Sequence, residues 1–233
     1  RYTEFLPGSG ASPLLPAIAT MGPRFVFGQA FENLADIEDV ALRTRATTIT
    51  VPLPRFVSEH GDTWTGTGSE AAVLCPAILD SIYYGERYED IKRSFGDLPH
   101  VIFGRQHRPV DDPHVVGYVS DDDLVHLYAR APVFLYPSTE PRHVHYSPLE
   151  AMVVGTPVLY RRGGLIDLLA GRGALPGSCA SAEEMHDKAA ALLAGDRTLA
   201  DEIRAKQPHV LCHFSDDLAS RQWASALATA DGA

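Results

Sequence analysis

The chain of 233 residues carries 20 basic and 30 acidic side chains, a net charge of −10. That length holds one large domain or two small ones, with a core that needs no disulfide or metal staple. At 45% hydrophobic and 21% charged residues, with no apolar run near the roughly 20 residues of a membrane span, it is no coiled coil, collagen, disordered tract or membrane-spanning protein, and it lacks the basic surface that would coat a nucleic acid.

Only three of the basic residues are lysines, Lys92, Lys188 and Lys206. With the abundant alanine, this reads as GC-rich bacterial coding. The three cysteines, Cys75, Cys179 and Cys212, are widely spaced and form no CxxC. That argues against a zinc or thioredoxin-like motif and fits a reducing cytosol. Cys75 stands in an apolar run as a small buried hydrophobe.

Residues 1–23 hold four prolines and three glycines, a loop with one short helix near Leu14–Thr20. A strand is predicted at 24–28, an acidic helix over 33–43 and a second strand at 47–51, stopped by Pro52 and Pro54. The polar, glycine-rich stretch 58–69 predicts a linker. From Glu70 onward strands and helices alternate. Strands are predicted at 71–76, 101–104, 115–119, 133–136 and 157–160. Helices are predicted at 82–95, 120–130, 147–154 and 165–169, then from Ser181 to about Leu193, at 198–206 and at 216–230. Ile82, Tyr83, Tyr88, Ile91 and Phe95 are the expected inner face of the first long helix. Ser120 with Asp123, and Ser181 with Glu184, are predicted caps. This alternation implies an α/β protein with a parallel sheet covered on both faces. Such sheets bind ligands beyond the carboxyl ends of their strands. The loops after Pro76, Gly104, Val119, Tyr136 and Tyr160 are therefore the ones that matter.

Residues 115–169 carry the strongest chemistry. Ser147 is predicted as an N-cap, Pro148 as the first helical residue and Glu150 three places after the cap. That end, with its dipole and unbonded amides, suits an anion. Arg142, His143 and His145 in the preceding loop would surround a diphosphate. Glu150 could accept two sugar hydroxyls at once. On pattern alone, Ser-x-x-Glu is also a plain capping box. His143 and His145 lack a third ligand at useful spacing for a metal.

The motifs Gly117-Tyr118-Val119, Asp123-Leu124, Leu127-Tyr128, Tyr136-Pro137-Ser138, Pro148-Leu149-Glu150-Ala151-Met152, Gly155-Thr156-Pro157-Val158 and Gly163-Gly164 occur in one order. In order and spacing they resemble the donor-binding half of the retaining GT-B glycosyltransferases related to glycogen synthase and the bacterial mannosyltransferases. The resemblance is strongest over 101–169 and weaker over 71–230. It implies a GT-B type, Rossmann-like parallel sheet with helices on both faces and an incomplete N-terminal lobe. Residues 1–65 would be the remnant of the acceptor lobe plus linker, 66–213 the nucleotide-sugar lobe, and 214–233 a helix crossing back, with Phe214-Ser215 before it. A complete enzyme of this kind has two lobes, so the length and the first residue, Arg1, suggest a fragment.

By the same resemblance, Gly117, Tyr118 and Val119 would read the nucleobase through their backbone, and Glu150 would hold the ribose. Amides around Ser147, Pro148 and Leu149, with Arg105 and His145, would meet the diphosphate. Gly163-Gly164 lies in the neighbouring loop. A sugar would pass from a UDP- or GDP-sugar to a carbohydrate, lipid-linked or other hydroxyl acceptor with retention, without metal or cofactor. Helix dipoles and positive groups would stabilise the departing diphosphate. The expected setting is cytoplasmic, in bacterial polysaccharide or glycoconjugate synthesis, with peripheral membrane association through the missing N-terminal part and no nucleic-acid partner.

Two departures from the family pattern bear on chemistry. The family's first glutamate, eight residues before Glu150, is Arg142 here, and the nearest acid is Glu140. Glu140, Arg142 and His143 are therefore the candidates at the donor sugar. The loop Ala77-Ile78-Leu79-Asp80-Ser81 lacks the family's basic pair, for which Arg105 is the substitute. A GT-B epimerase and a non-catalytic nucleotide-sugar or protein-binding module are the competing readings. Tyr83, Tyr84 and Tyr118 are read as core aromatics before ligand-stacking ones.

Overall fold

The computed structural model describes residues 14–231. The loop predicted before Leu14 lies outside them. The chain divides into two units. One contains the described residues up to Pro52 and those from His213 onward. The other is Leu53–Cys212.

In the first unit, α1 (Leu14–Met21) leads to β1 (Phe27–Gln29), which pairs in parallel with β2 (Ala46–Thr48). The acidic helix predicted over 33–43 is broken in two. A 3-10 helix spans Glu32–Ile37, and α2 (Val40–Arg43) starts afresh. The cause is Asp39, whose carboxylate accepts the Ala41 amide at 2.9 Å and so serves as an N-cap.

The second unit begins with α3 (Arg55–Ser58). Residues 59–69 are not a loose linker. Their amides are tied down: Asp62 to Val153 O, Trp64 to Val154 O, Thr65 to Ala129 O and Gly68 to Arg130 O, at 2.7–3.0 Å. Then follow β3 (Ala71–Leu74), α4 (Ile82–Phe95), β4 (His100–Phe103), β5 (Val115–Gly117), α5 (Asp121–Arg130), β6 (Phe134–Tyr136), α6 (Tyr146–Val154), β7 (Val158–Arg161) and α7 (Leu165–Leu169). The unit ends with β8 (Ser178–Cys179), α8 (Ala182–Leu193), α9 (Arg197–Arg204) and α10 (Pro208–Leu211). The two-residue β8, α3 and α10 are too short to leave a periodic signal.

The sheet is six-stranded and wholly parallel, in the order β5-β4-β3-β6-β7-β8. Helices flank it, as the alternation predicts. Its strands read as apolar runs because both faces are covered. Val73, Ile102, Val133, Leu135 and Leu159 pack with Ile91, Phe95, Met185 and Leu192 in one core. Each such side chain contributes about 1.5–3 kcal/mol on burial. On α4 the inner stripe is Tyr84, Tyr88, Ile91 and Phe95, at helical spacing. Ile82, predicted inside, is 84% exposed and Tyr83 39%. They sit in the first turn, beyond the edge of the core. The predicted caps hold: Ser120 Oγ accepts the Asp123 amide at 3.3 Å, and Ser181 Oγ accepts that of Glu184 at 3.0 Å.

The closing helix α11 (Asp216–Asp231) belongs to the first unit. Its Gln222 Oε1 accepts the Thr50 amide at 2.7 Å, and it packs on the 3-10 turn Gly22–Arg24.

Candidate functional site

Strand order reverses between β3 and β6, because the chain builds β3-β4-β5 outward on one side and then β6-β7-β8 on the other. The loops leaving those two strands must diverge, and the crevice between them is where a parallel sheet binds ligands. The loop after β3 leads into α4, and the loop after β6 leads into α6. Two helix N-termini therefore flank the crevice.

The loop after β3 is held rigidly. Gln106 donates through Nε2 to Cys75 O at 2.8 Å and Gly104 O at 3.0 Å, and its Oε1 accepts the Ile78 amide at 2.9 Å. Ala77 takes a left-handed conformation, with φ +49°, and its amide donates to Arg105 O at 2.9 Å. Such backbone strain persists only where the surroundings over-determine it. Arg105 is thereby placed beside this loop. Its guanidinium lies 5.6 Å from the ring centroid of Tyr118, which is 67% exposed. Tyr118 is thus no core aromatic. Gly117 has φ +76°, with open space where a Cβ would point. Val119 lines a separate cavity of about 460 Å³ with Glu70, Val101, His126 and Arg130. No basic side chain stands between Ala77 and Ser81. Asp80 in that loop is held by Arg108, at 2.9 Å.

On the other side, α6 starts earlier than predicted. His145, not Ser147, is its N-cap, and no side chain caps it. Pro148 stands third in the helix and has no N–H. The Leu149 amide is far enough in to bond within the helix. Of the amides expected around Ser147, Pro148 and Leu149, only that of Ser147 belongs to the helix's outward-facing set, with those of His145 and Tyr146. The His145 amide donates to the Tyr136 hydroxyl at 3.2 Å. The His145 ring lies between two phenols: Nε2 is 2.7 Å from Tyr84 Oη and Nδ1 3.4 Å from Tyr136 Oη. Burial, with His143 nearby, pushes the His145 imidazole down to about 4. It is neutral at pH 7 and adds a hydrogen-bonding group, not the positive charge expected of it. His143 is exposed, with its ring 4.7 Å from that of His145. Among the described residues, no group of three His, Cys, Asp or Glu side chains is disposed to hold a metal ion.

Glu150 is buried, 7% exposed, and Tyr128 donates to its Oε2 at 3.1 Å. Burial raises its carboxyl above the usual range. The Tyr128 phenol is pushed well above its usual value by burial and by Glu150 itself, so it stays a donor. Glu140 uses Oε1 to accept the Arg142 amide at 3.0 Å, which folds the loop on itself. Its carbonyl accepts the Leu165 amide at 2.9 Å, joining this loop to the one after β7. A Cβ on Gly164 would lie 2.6 Å from Ser138 O, so that junction admits only glycine. Asp167 fastens the same region, accepting from the Gly163 and Gly173 amides and the Ser178 hydroxyl at 2.7–3.0 Å. Sequence reasoning missed Gln106 and Tyr128 because each acts through a partner remote in the chain, and Tyr136 and Asp167 because their bonds within the loops depend on how those loops fold.

Residues 92–195 match the family model described as Glycosyl transferases group 1. No curated protein sequence matches the chain. Among solved structures, the fold is similar to that of Anabaena Alr3699/HepE, crystallised with UDP and glucose. The TM-score is 0.63 at 15% identity over 96% of this chain and 69% of that one. It is also similar to S. aureus TarM (a G117R mutant) in complex with fondaparinux, alpha-GlcNAc-glycerol and UDP. There the TM-score is 0.55 at 16% identity, over 78% of this chain and 39% of that one. The chain therefore spans well under half the length of the second. Fold and family match coincide on the larger unit: a Rossmann-like lobe of GT-B type whose residues 92–195 carry the pattern of the group 1 glycosyl transferases.

Proposed function

We propose that this chain is the nucleotide-sugar-binding part of a glycosyltransferase, one that moves a sugar to an acceptor hydroxyl with retention of configuration. The observation that carries the reading is Glu150. It is a buried carboxylate held by Tyr128, on the helix that follows the strand-order reversal, inside the segment that matches the group 1 family. A buried carboxylate without a cation beside it is costly unless a ligand uses it. In this reading Glu150 takes the ribose hydroxyls, the Gly117 backbone meets the base, and Arg105 with the first-turn amides of α6 meets the diphosphate. Glu140, Arg142 and His143 face the donor sugar. The bond from the anomeric carbon to the diphosphate breaks with its electron pair on the phosphate oxygen. The acceptor oxygen bonds that carbon, and its proton leaves with the nucleotide. Amides and cations stabilise the departing charge without a metal. Both structural relatives were crystallised with UDP, which favours a uridine donor. Carbohydrate or lipid-linked acceptors, a role in bacterial glycoconjugate synthesis and a cytoplasmic setting remain part of the proposal.

The test is thermal unfolding against UDP, GDP, CMP and their sugars. A ligand at one hundred times its Kd should add about 2.7 kcal/mol. No shift with any nucleotide removes the reading. A second reading, binding without turnover, is favoured by the loop 77–81, which contributes no base of its own and whose neighbouring Arg108 is engaged by Asp80. Binding with no nucleotide release in the presence of a hydroxyl acceptor would select it.

A further inference from the structure

The loops beyond β7 carry three arginines with no carboxylate paired to them. Arg161 ends β7, Arg162 follows it, and Arg172 lies in the loop after α7. Elsewhere in the larger unit Arg87, Arg93, Arg108 and Arg204 each stand against an aspartate. Arg161 reaches Ala180 O at 3.4 Å, and its Nε is buried without an acceptor. Arg162 and Arg172 are exposed. Glu184, which feels the charge of Arg162, is already taken by Lys188 at 2.9 Å and by the Ala180 amide at 2.7 Å.

Buried Asp167 assembles this cluster. One of its oxygens accepts the Gly163 amide and the other the Gly173 amide, which ties the loop of Arg162 to the loop of Arg172. A Cβ on Gly173 would lie 3.0 Å from Arg162 Nε, so that guanidinium lies across the glycine, next to Arg172. Arg172 itself is left-handed, with φ +58°, and its amide donates to Asp167 O at 2.8 Å. Such strain is held where the surroundings over-determine it, as at ligand clamps. Three like charges held together repel one another until an anion joins them.

The position separates this anion from the donor diphosphate. β7 lies on the side of β6 away from β3. The arginine loop therefore begins about 4.8 Å from the crevice strand, and the Leu165 amide joins it to Glu140 O at 2.9 Å. We infer that Arg161, Arg162 and Arg172 form a second anion subsite, beyond the donor-sugar loop, which holds a phosphate of the acceptor. The inference rests on the nucleotide-sugar reading above. Charge selects phosphate over the carboxylate of an acidic sugar. A phosphate ester carries about −1.5 to −2 at pH 7, a carboxylate only a single charge, against three guanidinium groups. Guanidinium forks also match phosphate oxygens in pairs. The phosphate anchors the acceptor and leaves its hydroxyl free to take the sugar.

The experiment saturates the full chain with UDP or GDP, whichever binds, and titrates it calorimetrically with inorganic pyrophosphate and with geranyl diphosphate. Pyrophosphate should bind the saturated wild type. The double variant Arg162→Gln, Arg172→Gln should bind it roughly tenfold or more weakly, as expected for lost hydrogen bonds to a charged group. Its nucleotide affinity should stay within about twofold. Circular dichroism checks the fold, and Arg162→Gln alone serves if the double variant does not fold. Geranyl diphosphate binding more tightly than pyrophosphate supports a lipid-linked acceptor at this subsite, and equal binding supports a soluble phosphate ester there. Three results overturn the inference and leave the nucleotide-sugar reading intact: no pyrophosphate binding to the saturated wild type, affinity unchanged in the variant, or an equal loss of nucleotide affinity. A wild type that binds neither nucleotide overturns both.

Discussion

Glu150 and His145 are five residues apart at the start of α6, and burial acts on them in opposite senses. The carboxyl is raised and the imidazole lowered, each toward its neutral form. For Glu150 the raised value makes its charge a cost to folding at pH 7. Glu150→Gln keeps an oxygen for Tyr128 to donate to. It should raise the thermal midpoint slightly while weakening nucleotide binding roughly tenfold or more. Denaturation and calorimetry on one sample check both signs, and a joint loss would mark Glu150 as structural. For His145, the unfolded chain protonates near 6.5 and the native site only near 4. Its contribution to stability is thus complete above pH 6.5 and is lost progressively as pH falls toward 4. Denaturant midpoints between pH 7 and 4 should fall less steeply in His145→Gln than in the wild type.

Local sequence determines the helices and the loops of this chain unequally. The span of α4 was legible in full, because Ser81 caps it, Tyr88, Ile91 and Phe95 keep the period, and Gly96 follows. The start of α6 was not. Ser147-Pro148 has the composition of a cap and first turn, yet the helix begins two residues sooner, because the Tyr136 hydroxyl captures the His145 amide. The loops after β6 and β7 meet at Gly164. Gly164→Ala would drive a methyl into Ser138 O and displace the loop that holds Glu140. Overpacking of this kind costs about 1–3 kcal/mol, measurable by urea unfolding, with loss of nucleotide binding beside it.

In the larger unit, the segment 59–69 shows how far local composition can mislead. Its glycines and threonines have the composition of a spacer, but Trp64 anchors it. The indole donates to Ala131 O at 2.8 Å and lies against Arg197 and Arg204, at 4.9 and 4.6 Å. Arg204 in turn bonds Gly155 O at 2.8 Å and Asp62 at 2.5 Å. The strap therefore braces α9 and the C-terminal end of α6. Trp64→Ala should cost about 3 kcal/mol through lost packing and cation–π contact. An unfolding midpoint within error of the wild type would show the strap to be a passive spacer.

The α/β class, the parallel sheet and the motifs from Gly117 to Glu150 could be read along the chain because they depend on periodicity, caps and short spacings, all local properties. The crevice could not be composed that way. It exists because strand order reverses between β3 and β6, which brings together residues far apart in number: Tyr84 with His145, Tyr128 with Glu150, and Gln106 with Cys75. Protonation followed the same rule. Arg142, His143 and His145 looked like a cationic cluster by composition, but burial makes His145 neutral. Which side chains carry charge depends on solvent access, and solvent access is set by packing between elements rather than by neighbours in the chain.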